Sequence, residues 1–117
     1  MAPYEMDARR RAIVLKAIKE AHFHKGWKVL AVHVRRNHVH VVVGAPEPPG
    51  KLLTHFKSYA SRALNQAAID GGRRIRWTHH GSTRYLWKPQ QVRAAVEYVV
   101  YEQGRPMAVW KSTEPPW

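Results

Sequence analysis

Cysteine is absent from the 117-residue chain, which excludes a disulfide scaffold and any thiolate-bound zinc site. Acids are scarce, with 8 Asp and Glu against 20 Lys and Arg. No apolar run approaches the roughly 20 residues that span a bilayer. The N-terminus, MAPYEMDARRR, lacks the apolar stretch of a secretory signal. Internal repeats and low-complexity tracts are missing too. What remains is the expectation of a cytoplasmic protein with no membrane partner. Apolar residues make up 44% of the chain, a globular composition, and the length suits one domain over 1–117.

The charge balance is the first positive signal. A net charge of +12 makes a small domain repel itself, and such an excess normally serves a polyanionic partner. Arginine is clustered as Arg9-Arg10-Arg11, as Arg35-Arg36, and as Arg73-Arg74 with Arg76. Its planar fork donates bidentate hydrogen bonds to phosphate, and five Trp and five Tyr can stack on bases. Nucleic acid is the expected partner; a merely solvated basic surface, or anionic lipid, is the alternative.

Periodicity sets the elements. Ile13, Val14, Ala17, Ile18 and Ala21 recur at helical spacing, predicting a first helix from Met6 to about Ala21 that Gly26 stops. Two β-branched runs, Val29 to Val34 and His38 to Val43, predict an antiparallel hairpin. Arg35-Arg36-Asn37 connects them, with Asn37 suited to a positive φ. After a Pro-rich loop, Leu52, Phe56, Tyr59, Ala60, Ala63, Leu64 and Ala67 mark a second helix from about Lys51 to Ile69. Arg73 to Trp77 and Thr83 to Trp87 read as two shorter strands. A third helix begins near Lys88-Pro89, with Val92, Ala95, Val96, Val99 and Val100 as its stripe. From Gly104 to Trp117, three prolines predict an irregular tail. The order gives an α+β fold, a mainly antiparallel sheet with packed helices.

Two His-x-His triplets occur, His22-Phe23-His24 and His38-Val39-His40, where this histidine content gives about 0.5 by chance. On a strand, residues i and i+2 share a face, so His38 and His40 can reach one ion. On a helix they diverge by about 200°, which disfavours the first pair. By spacing alone, two imidazoles on a polar sheet face is an equal reading. A two-histidine site leaves room for a hard ligand and a substrate oxygen. Tyr98 and Glu102 lie one turn apart on the third helix, beside its apolar stripe. Gln103 is the reserve ligand, and Tyr101 should be exposed. An interfacial packing role for Tyr98 remains open at this point.

NHVHVVV, a basic helix, STRYLW and AVEYVVYEQG together resemble the single-tyrosine HUH transposases of insertion sequences, closest to their REP-associated and stand-alone relatives. The match covers about Ala12 to Gln103. The resemblance implies a ferredoxin- or RRM-like HUH endonuclease fold. It implies that His38 and His40 bind a divalent metal, Mg²⁺ or Mn²⁺, that Tyr98 is the nucleophile, and that Glu102 is the third ligand. The implied activity is cleavage and rejoining of single-stranded DNA, hairpin-forming DNA included, through a 5′-phosphotyrosine. A homodimer and a prokaryotic, nucleoid-associated location go with it. Arg35, Arg36, Arg62, Arg74, Arg76 and Arg84 are the candidate DNA contacts. Family members usually begin with a strand before the first helix, whereas this sequence starts almost at the helix, so the expectation is a sheet short of one strand, a shortened domain or reliance on a partner. Glu102 stands where many relatives carry Asn or Gln. A non-catalytic single-stranded nucleic-acid-binding module derived from a transposase, and a replication- or mobilisation-type HUH nuclease, are the alternatives.

The charge balance generates a test. Affinity for single-stranded DNA should fall steeply with salt, by roughly 0.7 logarithmic units per phosphate contacted for each tenfold rise in salt. A nearly flat dependence in a fluorescence anisotropy titration would point to another class of partner.

Overall fold

The computed structural model describes residues 4–72, 76, 77, 86 and 88–113, with the side chain of His22 outside that set. The first helix, α1, runs Ala8–Lys25. Asp7 caps it, its Oδ1 accepting the backbone N–H of Arg10 at 2.9 Å, which satisfies one of the orphan donors of the first turn. Val14, Ala17, Ile18 and Ala21 are buried along its inner face. The helix continues one turn past the expected end. Gly26, at φ +69°, then takes the left-handed position that a Cβ would disfavour.

The expected hairpin forms from β1 (Lys28–Val34) and β2 (Val39–Gly44), paired antiparallel. The Arg35 N–H donates to the His38 carbonyl at 2.7 Å and closes the connection. His38 therefore lies one residue before β2. Among the described non-glycine residues only Ala68 and Asp70 have positive φ, so Asn37 turns without the left-handed conformation expected of it. The register slips between Val29 and Ala31, leaving Leu30 as an extra residue in β1.

The second helix, α2, spans Pro49–Gln66 with Pro in its first turn. It starts two residues earlier than expected and ends three earlier. Ala68 at φ +56° and Asp70 at φ +69° carry the chain through a short 3-10 turn, Asp70–Gly72. Of the strands expected over 73–77 and 83–87, only Arg76, Trp77 and Leu86 are described, and none of them is in a strand; the remaining positions lie outside the described residues. The third helix, α3, spans Pro89–Tyr101. The tail expected to be irregular contains a third strand, β3 (Ala108–Lys111), paired antiparallel with β1. The sheet order is β2-β1-β3.

Helices cover both faces of this sheet. On one face Val29, Val32 and Val34 pack with Val14, Ile18, Phe56, Ala60 and Leu64 of α1 and α2. On the other, Leu30, Ala31 and Val42 pack with Val96, Val99 and Val100 of α3. Burial of this kind contributes about 1.5–3 kcal/mol for each large aliphatic side chain. The observed class is α+β with an antiparallel sheet and packed helices, as the pattern of periods implied. No described helix is long and apolar enough to cross a membrane.

The left-handed Asp70 is held by its side chain. Its carboxylate accepts the Tyr4 hydroxyl at 2.6 Å, two N–H groups of Arg10 and Nε of Arg76 at 3.1 Å. Burial alone would raise the Asp70 carboxyl, but the hydrogen bonds from Tyr4, Arg10 and Arg76 together hold it below the ordinary value. A depressed folded-state pKa gives stability that is whole above the ordinary Asp value of about 4 and is lost as pH falls through the lower folded value. Asp70→Ala leaves the buried Arg76 charge without its carboxylate and should cost about 3–5 kcal/mol, read by urea unfolding at neutral pH. The deficit relative to the parent should shrink as pH falls below about 4. An unchanged unfolding midpoint for Asp70→Ala would show that the network does not hold this turn.

Candidate active site

The two histidines of the NHVH segment lie on the α3 face of the sheet. His40 shares that face with Val42, which packs against α3, because strand positions two apart point the same way. The His38 and His40 rings are parallel within 12°, with centroids 6.3 Å apart. Asn37 Oδ1 lies 2.7 Å from Nδ1 of His38. Asn37 Oδ1 can only accept, so Nδ1 of His38 is the donor in this contact and Nε2 is the ring nitrogen that a metal would use. His40 is half-buried. Burial, and then the neighbouring His38, His33 and Arg35, lower its pKa below the ordinary histidine value, which keeps its imidazole neutral. Two imidazoles side by side fit a divalent ion with positions left open.

The helix brings its residues to this face unevenly. Tyr98 is 53% exposed and Tyr101 66% exposed on α3, the latter as its position opposite the stripe implied; the Lys111 ammonium lies 5.7 Å from the Tyr101 ring centre. Glu102 is exposed at the C-terminal cap of α3, its N–H donating to the Tyr98 carbonyl at 3.0 Å. Among the described residues, no group of three or more His, Asp or Glu side chains is close enough to hold an ion. Glu102 is therefore not drawn to the histidine pair. Gln103 follows, half-buried, with its Nε2 buried and without a hydrogen-bond partner. An amide has two interchangeable ends, so the same position can present an oxygen to a cation.

The arginines divide by what their guanidinium groups touch. Arg36 and Arg62 are exposed. Arg35 is half-buried and donates from Nη1 to the Arg105 carbonyl at 2.9 Å. Arg76, a candidate DNA contact by its place in an arginine cluster, is corrected here. Its side chain is 1% exposed and its donors go to Asp70, the Ser61 carbonyl, Asn65 Oδ1 and the Ile69 carbonyl. It braces the α2 end and offers nothing to phosphate. Arg74 and Arg84 lie outside the described residues.

One residue near the site went unmarked by sequence reasoning. His33 on β1 is fully buried and pairs with His40 across the hairpin. Its Nδ1 lies 2.9 Å from the Val99 carbonyl of α3. The Met107 N–H donates to its Nε2 at 3.0 Å. A carbonyl can only accept and an N–H can only donate, so His33 is the neutral Nδ1-protonated tautomer. The sole signal in the sequence was one polar residue in an otherwise apolar strand run.

This arrangement places the paired histidines on the sheet face that α3 covers, and the last turn of α3, with its exposed tyrosine, is bound to the strand beside them. No curated protein and no solved structure matches the chain. A family model described as "Transposase IS200 like" matches residues 6–100, a span that takes in α1, the hairpin, α2 and most of α3 with Tyr98. The chain belongs to the IS200-like transposase family.

Proposed function

We propose that this protein is a metal-dependent single-stranded DNA endonuclease and strand transferase that acts through a 5′-phosphotyrosine on Tyr98. Membership of a transposase family makes DNA the substrate and transposition the process. The observation that carries the finer reading is the pairing of His33 with His40 combined with the bond from His33 to the Val99 carbonyl. It ties the turn bearing Tyr98 to the rung bearing His40, and it leaves the tyrosine open to a substrate.

In this reading the Tyr98 phenol oxygen attacks phosphorus as its proton passes to water. The bond from phosphorus to the 3′ oxygen breaks, and that oxygen takes a proton and leaves as a 3′-hydroxyl. The phosphotyrosine keeps the energy of the broken bond, so a second 3′-hydroxyl reverses the step and joins strands. His38 and His40 would hold a divalent ion, Mg²⁺ or Mn²⁺, whose chemistry there is to offset charge on the nonbridging phosphate oxygens. Glu102 or Gln103 would complete its ligands. Arg35, Arg36 and Arg62 would line the path of the strand, with hairpin-forming DNA as one substrate and a homodimer as a compatible assembly. Such a protein works on chromosomal DNA in a prokaryotic cytoplasm. Because Glu102 stands apart from the histidine pair, a second reading keeps DNA binding and omits catalysis.

Tyr98→Phe separates the two. It removes the attacking hydroxyl from a half-exposed ring and should leave affinity for single-stranded DNA within about twofold, since one exposed hydroxyl contributes little to binding. The parent, given labelled single-stranded DNA and Mn²⁺, should form a covalent adduct that survives denaturing electrophoresis; Tyr98→Phe should form none. Tyr101→Phe should retain the reaction. An adduct in the Tyr98→Phe lane moves the nucleophile elsewhere, and a parent that binds DNA yet forms no adduct with any divalent ion favours the binding module.

A further inference from the structure

We infer that His33 is a positioning residue for the reaction, holding the Tyr98 turn of α3 in register with the NHVH strand. The inference rests on the reading of Tyr98 as nucleophile. It begins from an unusual expenditure of polarity: a fully buried imidazole in the central strand of the sheet, where an aliphatic side chain would pack without desolvating two nitrogens. Both nitrogens are used, and both bonds run to the same stretch of chain. Nδ1–H donates to the Val99 carbonyl at 2.9 Å. That carbonyl is one of the last four of α3 and has no partner within the helix. Nε2 accepts from the Met107 N–H at 3.0 Å, just before β3.

Between those two anchors lie Glu102 and Gln103, the candidate ligands, and Gly104 at φ +78°. A third tie closes the same loop from the same side of β1. Arg35, two residues beyond His33 on the strand path, donates to the Arg105 carbonyl at 2.9 Å. The strand that carries His33 is directly hydrogen-bonded to the strand carrying His40. Packing alone fixes a helix over a sheet loosely along its axis, because valines slide against valines. A directional hydrogen bond from one fixed strand position to one helix carbonyl removes that freedom. Catalytic groups set out of place by about 1 Å lose rate on the order of a hundredfold, so the register of Tyr98 against His38 and His40 is where the imidazole acts.

Substitutions that keep one bond at a time test this. His33→Asn places an amide N–H where Nδ1–H stood and keeps the tie to Val99. His33→Gln places an oxygen near Nε2 and keeps the tie to Met107. His33→Leu keeps neither. At saturating single-stranded DNA with Mn²⁺, His33→Leu should form the covalent adduct at least about tenfold more slowly than the parent. Its DNA affinity should stay within about twofold, since His33 touches no ligand. His33→Asn should recover most of the rate and exceed His33→Gln. A purely structural role would lower the melting temperature of all three and spare the adduct rate of whatever remains folded. Parent-like rates in His33→Leu, or equal rates in the Asn and Gln variants, would overturn the inference; the latter comparison holds even when the Leu variant fails to fold. If the parent forms no adduct, the catalytic reading fails by itself. Amide hydrogen exchange then decides the positioning role. The 99–104 amides should exchange at least about tenfold faster in His33→Gln than in His33→Asn, and the Met107 amide, whose acceptor only Gln keeps, should exchange faster in His33→Asn; identical exchange in the two variants would overturn it.

Discussion

One extra residue in β1 governs which chemistry faces which helix. Strand side chains alternate, so in an unbroken strand Val29, Ala31 and His33 would share a face. Leu30 is inserted opposite no partner of its own, and the register resumes at Ala31 paired with Val42. After the bulge the alternation is inverted. Val29 still faces α1 and α2, and so do Val32 and Val34, while Leu30 and Ala31 both join the α3 cluster. His33 follows Ala31 to the α3 side, where its partner His40 also lies. The bulge is satisfied from the opposite edge, since the Ser112 N–H donates to the Leu30 carbonyl at 2.8 Å. Pairing of β3 therefore does more than widen the sheet: it brings the next residue, Ser112, to donate to a bulged carbonyl.

That dependence explains what the sequence could and could not disclose. Long periodic segments were legible: α1, α2, α3 and the hairpin all lie where apolar spacing puts them, because each buries a continuous stripe. The shared face of His38 and His40 was legible for the same reason, as a property of strand period alone. The bulge was not, since Val-Leu-Ala-Val reads as uniform apolar strand whether or not a residue is extruded. With the bulge hidden, the face of His33 could not be assigned, and its pairing to α3 had no signal. β3 was hidden differently. Four residues following Pro106 have too little period to outweigh local turn chemistry, and only the free edge of β1 gives them a reason to extend. The α2 end was misjudged because helix-forming alanines at 67 and 68 conceal a left-handed turn, which is held by contacts from Tyr4 and Arg10 some sixty residues earlier in the chain.

Composition carries a similar ambiguity for charge. Arg76 sits in a sequence cluster that looks like a phosphate cradle, yet it is among the most enclosed side chains described. A guanidinium has five donors, and burial is tolerable only when carbonyls and a carboxylate take them up. Asp70 supplies the carboxylate and accepts from Arg10 as well, while Asp7 takes Arg10 from its other side. Setting aside these two arginines and two aspartates leaves eighteen basic side chains against six acids, the same excess of twelve. The internal network thus uses acids and bases in equal number. The field available to a polyanion is undiminished, and its ratio of base to acid rises from 2.5 to 3.

What the remaining arginines can contribute differs with how far each is already ordered. Arg36 and Arg62 are free in solvent and would lose side-chain entropy on gripping a phosphate, on the order of 0.5–1.5 kcal/mol each. Arg35 has already lost much of it, because one of its nitrogens is held by the Arg105 carbonyl and its Nη2 lies 3.6 Å from the position a Cβ on Gly104 would occupy. A guanidinium fixed on one side can still donate from the other, and does so at lower entropic cost. The same bond couples it to the loop that carries Glu102 and Gln103. On the proposed reading, a phosphate engaged by Arg35 would bear directly on the segment that ends α3, and substrate binding and the placement of Tyr98 would act through one short stretch of chain.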